Sequence, residues 1–166
     1  MEIILAKSAG FCFGVNRAIK ACYDKIGKVD KLYTYGPLIH NKEVTKDLEA
    51  KGVKIIESVD DIDSGTVVIR SHGVGKNVYE QLKNKNIDYI DGTCPFVKKI
   101  HNIVNDNYIK NNKIIIIGNS NHPEVMGING WCNDSALIFE NLEDVEKIDF
   151  DNSQKYVVVV QTTFRK

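Results

Sequence analysis

Seven side chains have types and settings that suit chemistry: Cys12, His40, His72, Cys94, His122, Glu124 and Thr162. Cys12 lies in AGFCFGVNR, between two glycines and at the head of a helix-like run. Cys94 lies in DGTCPF, directly before the proline that opens another. A free cysteine ordinarily packs as a small hydrophobe. That role suits Cys22, on an apolar helix face, and Cys132, beside Trp131. It does not suit Cys12 or Cys94, because a helix start favours thiolate, the form a nucleophile or soft-metal ligand requires. His40 (GPLIHN), His72 (SHGVG) and His122 (GNSNHPE) each follow a strand-like run and precede a helix-like one. His101, the fourth histidine, falls within a helical pattern but off its apolar stripe, and is expected at the surface. Glu124 reads first as a first-turn carboxylate that complements a helix dipole, and second as an acid beside a bound anion. Thr162 and Thr163 follow the last strand-like run, as caps or as hydroxyls lining a site.

The elements that must position these residues alternate. Near-continuous apolar runs predict strands over residues 2–6, 31–35, 53–56, 66–70, 87–90, 113–118, 136–139 and 155–160. Helical periodicity lies between them. Val15, Ala18, Ile19, Cys22 and Ile26 share one face, and so do Phe96, Ile100, Ile103, Val104 and Tyr108; shorter helices fit residues 43–51 and 77–85. Residues 57–65 are polar and loop-like. This predicts an α/β fold of alternating strand-helix units with small, mostly parallel sheets. Two domains are expected, over residues 1–94 and 95–166, the second ending on a strand with no helix after it, as though cut. In such folds ligands bind outside the carboxyl ends of the strands. All the singled-out residues fall in strand-to-helix turns, where glycines admit a ligand and helix N-termini favour phosphate. A small anionic ligand follows. Other readings stay open: a phosphate-binding module without redox chemistry, a metal hydrolase built on His40, His72, His122 and Glu124, or a thiol enzyme using Cys94.

The chain has 166 residues, 22 basic and 22 acidic, mixed along its length; this points to no nucleic acid and no membrane as partner. The longest aliphatic runs, residues 114–117 and 157–160, are too short to span a bilayer. No charged-then-apolar leader opens the sequence, so a cytoplasmic protein is expected. No cysteine pair has C-x-x-C spacing, so neither a disulfide framework nor a zinc ribbon is indicated.

Six motifs in order, AGFCFGVNRAI, YGPLIHN, IRSHGV, DGTCPFVKKIH, GNSNHPEVMGING and VVQTT, together resemble the LytB family of 4-hydroxy-3-methylbut-2-enyl diphosphate reductases over the whole chain. The resemblance implies three α/β domains in a trefoil around a [4Fe-4S] cluster held by three cysteines. Cys12 and Cys94 match two of these ligands, and the third lies beyond residue 166, as does a serine-asparagine diphosphate-binding motif. His40, His72, His122 and Thr162 match residues that hold the allylic diphosphate substrate, and Glu124 matches the acid that relays protons to the departing hydroxyl. A ferredoxin- or flavodoxin-like donor supplies two electrons, and isopentenyl and dimethylallyl diphosphate are formed. The 166-residue chain alone is expected to be inactive or nearly so.

Overall fold

The computed structural model describes residues 2–4, 6 and 9–164. Among these residues seven short strands form two parallel sheets. The first contains β1 (Leu32–Tyr35), β2 (Lys54–Ile56), β3 (Thr66–Ile69) and β4 (Asp88–Asp91) in the order β2-β1-β3-β4. Both of its faces are covered, as its apolar strands require. Leu32 and Val68 point to one face, where they meet Ala18 and Cys22 of α1 (Phe13–Tyr23) and Leu48 of α2 (Lys42–Ala50). Tyr33, Val67 and Ile69 point to the other and meet Val78 and Leu82 of α3 (Lys76–Asn84). The helices start where the sequence caps them. Asn41 Oδ1 accepts from the Glu43 and Val44 amides at 3.0 Å each, opening α2. Pro95 and Pro123 open α4 (Pro95–Tyr108) and α5 (Pro123–Asn129).

The second sheet contains β5 (Lys113–Ile117), β6 (Leu137–Phe139) and β7 (Tyr156–Val160) in the order β6-β5-β7. Ile114, Ile116 and Val159 pack there with Val104 of α4 and Val125 and Ile128 of α5. A short α6 (Leu142–Glu146) precedes β7. Each strand order reverses direction once, between β1 and β3 in the first sheet and between β5 and β7 in the second. Diverging connections open a crevice at such a point.

Glycines set how closely the halves approach. An added Cβ on Gly130 would lie 2.6 Å from the Gly75 Cα, and one on Gly127 would lie 3.3 Å from the Gly73 carbonyl oxygen. Trp131 Nε1 donates to the Val74 carbonyl at 3.0 Å across the same seam. The turn after β3 is thereby locked against α5.

Three expectations fail. Glu2, Ile3, Ile4 and Ala6 form no strand; Ile3 and Ile4 are 79% and 84% exposed, and Leu5 lies outside the described residues. β propensity does not make a strand without a neighbour to pair with. His101 is not at the surface but 1% exposed. α4 buries Val97, His101 and Val104, while Phe96, assigned to the apolar stripe, is 71% exposed. The helix packs on the second sheet and also on the Gly73 turn, so its buried arc is rotated from the hydrophobic one. The loop over residues 57–65 contains a 3-10 turn, Val59–Asp61, capped by Ser58, and sinks Val59 and Ile62 into the core.

Candidate functional site at the facing switch points

Both crevices are furnished by the turns that leave their strands. His40 follows β1 and His72 follows β3, the two strands flanking the first reversal. His122 and Glu124 follow β5, and Thr162 follows β7, the two strands flanking the second. The glycine seam presses these edges together. The three imidazoles converge from three separate turns, with ring centroids 4.6 Å apart for His40–His72, 5.4 Å for His72–His122 and 5.7 Å for His40–His122. One nitrogen from each lies within 4.8 Å of the others.

Their hydrogen bonds restrict their roles. His122 caps α5, its Nδ1 accepting from the Glu124 amide at 3.1 Å, so any proton it carries in this state is on Nε2. His72 Nδ1 is buried without a partner. Burial, reinforced by the charges of His40, His122 and Arg70, pushes the His72 imidazole down to about 4. Burial also lowers His122, against an upward pull from Glu124. An anion set among the rings would reverse these shifts by favouring the protonated forms.

Glu124 is more than a dipole complement. It is 1% exposed, and its carboxylate accepts from the Thr162 amide at 2.6 Å and the Thr162 hydroxyl at 2.8 Å. Gln161 supports the same edge: Oε1 accepts from the Asn119 amide at 3.0 Å and Nε2 donates to the Thr163 hydroxyl at 3.0 Å. The result is an acid and a hydroxyl held in fixed orientation beside the imidazoles.

The two helix starts that bear thiols also adjoin. Cys94 starts α4 and Cys12 starts α1, neither side chain capping its helix, and both are free. A Cβ on Gly14, two residues after Cys12, would lie 2.6 Å from Cys94 Sγ, so only glycine lets α1 start there. The Cys94 amide donates to the Ser71 carbonyl at 2.9 Å, which ties this turn to the one bearing His72. Cys22 and Cys132 are each 0% exposed. Burial pushes the Cys22 thiol up to about 11 and raises Cys132 as well, so neither is placed to ligate as thiolate. Two soft donors at adjoining helix starts, with glycine clearing the space, fit a thiolate-held iron group.

Sequence reasoning missed three supporting residues. Arg17 of α1 donates to the Thr93 and Asp91 carbonyls at 2.9 and 3.2 Å and braces the Cys94 turn. Its signal was its place five residues after Cys12. His101 stacks on Trp131 at 5.2 Å, and its edge fills the space that a Cβ on Gly73 would need. Arg70 left one trace, a charged residue closing an apolar strand just before Ser-His-Gly.

The chain is a doubly wound parallel α/β protein that brings two thiol-bearing helix starts, three imidazoles and a buried acid to facing switch points. The family model described as "LytB protein" matches residues 3–166, and the chain belongs to that family. Curated relatives named 4-hydroxy-3-methylbut-2-enyl diphosphate reductase include one from Clostridioides difficile strain 630, 50% identical over 165 residues. Another, from Caldanaerobacter subterraneus subsp. tengcongensis, is 48% identical over 168. Each match covers 98% of this chain but 59% and 58% of the relative, so the chain spans somewhat over half of their length. Among solved structures, the E-1-hydroxy-2-methyl-but-2-enyl-4-diphosphate reductase from Plasmodium falciparum aligns with TM-score 0.88 and 34% identity, over 95% of this chain and 50% of that one. A second, described as (E)-4-hydroxy-3-methyl-but-2-enyl diphosphate reductase, the terminal enzyme of the non-mevalonate pathway, aligns with TM-score 0.79 and 35% identity, over 99% and 59%. The α/β architecture of alternating units and parallel sheets agrees with both. No helix among the described residues is long and apolar enough to cross a membrane.

Proposed function

We propose that this chain carries the substrate-holding and proton-donating part of a reductase acting on 4-hydroxy-3-methylbut-2-enyl diphosphate. The observation that carries the reading is the convergence of three imidazoles from three turns beside a buried Glu124–Thr162 pair, in a chain whose named relatives are such reductases. The reaction replaces the allylic C–O bond by C–H, consuming two electrons and two protons and releasing water. Hydroxide is a poor leaving group, so it must be protonated as it departs. Glu124 is the group for this task, with Thr162 orienting the carboxylate and bridging it to the substrate hydroxyl. His40, His72 and His122 hold the diphosphate, which draws protons onto them and is screened in return.

Cys12 and Cys94 are two of the ligands for a [4Fe-4S] cluster, and the third cysteine comes from outside residues 1–166. When bound, that cluster supplies single electrons and a Lewis-acidic iron for the hydroxyl. A ferredoxin- or flavodoxin-like protein is the electron donor. A trefoil of three domains, with residues 1–94 and 95–166 as two of them, and a cytoplasmic location complete the proposal.

Anaerobic reconstitution tests it. The wild type should bind iron and acid-labile sulfide in proportion, with visible absorption lost on Cys12→Ser and Cys94→Ser, and should turn over substrate at most marginally by itself. A colourless chain that still binds inorganic pyrophosphate would support the non-redox module instead. A second reading has one observation in its favour: three imidazole nitrogens within 4.8 Å could hold a divalent cation. Stoichiometric zinc without sulfide would favour it.

A further inference from the structure

His122 and Glu124 leave β5 on one turn, and that turn is held from outside the site. We infer that Glu140, an exposed carboxylate directly after β6, is a positioning residue for this turn, and that the site loses affinity for a diphosphate without it. The inference rests on the reading of the imidazole cluster as a diphosphate site.

Residues 118–122 run from β5 to α5, and all five of their backbone N–H groups are engaged. Gly118 donates to the Phe139 carbonyl at 3.0 Å, and His122 donates to the Asn119 carbonyl at 2.9 Å. Asn119 donates to Gln161 Oε1 at 3.0 Å, and Asn121 donates to Asn119 Oδ1 at 3.0 Å. The fifth, Ser120, donates to Glu140 Oε1 at 2.8 Å. The Ser120 hydroxyl donates to the same oxygen at 2.7 Å, and Asn119 Nδ2 donates to Oε2 at 3.2 Å. The turn off the central strand is thus pinned to both flanking strands, by Glu140 after β6 and by Gln161 after β7. Gly118 makes room for the second of these, since a Cβ there would lie 2.8 Å from Gln161 Oε1.

The pinned turn leads into the site. His122 Nδ1 accepts from the Glu124 amide, and Glu124 accepts from Thr162, the neighbour of Gln161. Asn119, Gln161, Thr162, Glu124 and His122 therefore close a ring of hydrogen bonds through one peptide link, and Glu140 braces the ring from outside.

The partners of Glu140 set it apart from an ordinary surface carboxylate, which is solvated or pairs weakly with a cation. Among the described residues it forms no ion pair, and both its oxygens go to neutral donors of a single turn. Bonds to an ionised acceptor are the stronger kind. The bonds from Ser120 hold the carboxyl below its ordinary value, so the clamp is ionised at neutral pH.

The charge of Glu140 gives the inference a sign. A negative group close to an anion site repels the anion, so by charge alone its removal should tighten binding. As a positioning group, its removal should free the His122 turn and weaken binding. The two effects oppose each other.

The test is calorimetric titration of the chain with inorganic pyrophosphate at pH 8, comparing wild type, Glu140→Ala and Glu140→Asp. Glu140→Asp keeps the charge and shortens the reach, so it alters position alone. Both variants should bind roughly tenfold more weakly. Long-range 1H–15N spectra of the His122 ring give a second readout without ligand. The wild-type ring should carry its proton on Nε2, and both variants should show a share protonated on Nδ1, because the bond from the Glu124 amide is loosened. If Glu140→Ala fails to fold, Glu140→Asp decides. Unchanged or tighter binding, or a His122 ring that keeps its wild-type signals, overturns this inference alone. Absence of saturable wild-type binding overturns the imidazole-site reading, and the His122 signals then decide by themselves whether Glu140 positions the turn.

Discussion

At the carboxyl edge of the first sheet the polar side chains are left largely without partners, whereas at the corresponding edge of the second they are tied to one another. His72 Nδ1 is buried and unbonded, Arg70 lacks a carboxylate partner among the described residues, and His101 Nε2 behind them is buried and unbonded too. Across the crevice, Glu124 is held by Thr162, Gln161 by Asn119 and Thr163, and Glu140 by Ser120. The topological position is the same, and the division of labour differs. On the proposed function, groups that would accept an incoming anion are kept unsatisfied, and groups that would deliver a proton along a fixed line are oriented in advance. The difference can be broken or sharpened by measurement.

The largest effect should come from acid. Burial holds His101 down at about 4, against 6.5 for an ordinary histidine. Between those values the unfolded chain binds a proton that the folded chain does not. The stability is therefore fully present above pH 6.5 and is lost as pH falls toward 4. At about 1.4 kcal/mol per unit, His101 alone accounts for about 3 kcal/mol of that loss. His72 adds to it in the same direction. His101→Leu should flatten the acid limb by that amount in urea denaturation run from pH 7 to pH 4. An acid limb as steep as the wild type's would mean that the buried ring is not the unsatisfied group it is taken for here.

Next comes the second edge. Glu124→Leu strands the Thr162 amide and hydroxyl and should cost about 2 kcal/mol at pH 7. Glu124→Gln, which keeps an acceptor oxygen, should lose less than half as much. Equal losses would show that packing, and not the bonds to Thr162, holds this edge together. His72→Phe, by contrast, removes a nitrogen that bonds nothing and should change stability by about 1 kcal/mol or less, while impairing pyrophosphate binding. A loss comparable to that of Glu124→Leu would erase the distinction between the edges.

How much of this was legible in the sequence follows the same line. Apolar runs between turn residues marked seven of the strands to within a residue or so, because buried parallel strands leave a continuous signal. The histidine turns and the Cys94 turn were legible because strand-to-helix turns share one edge of a parallel sheet, whereas Cys12 starts α1 with no strand before it among the described residues. Glu124 and Thr162 were each singled out but their pairing was not, since they lie 38 residues apart and only strand order makes them neighbours. His101 was misread because helical periodicity reports one apolar stripe, and α4 packs on two bodies. Arg70 passed unnoticed because its meaning lies in what does not pair with it, which no local pattern records. The strand expected at residues 2–6 erred in the other direction, having propensity without a neighbour.

The smallest effect tests the exception on the first edge. Asp91, at the end of β4, is the one carboxylate there with a full set of partners. Lys98 Nζ donates to Oδ2 at 2.6 Å, and the Thr93 amide and Tyr79 hydroxyl donate to Oδ1 at 3.0 and 3.3 Å. Burial pushes this carboxyl up, but Lys98 and Thr93 together outweigh it and hold it below its ordinary value. Lys98 is exposed, so Lys98→Ala should cost only about 0.5 kcal/mol at low salt and less as salt rises. Its contribution is present above the ordinary aspartate range and disappears as pH falls through the depressed value, the opposite cause from His101 but the same sign. A loss of several kcal/mol, insensitive to salt, would mean that the Cys94 turn is held by charge. The contacts favour Arg17, the Ser71 carbonyl and Gly14 as what fixes that thiol, with Asp91 and Lys98 serving only to finish the strand.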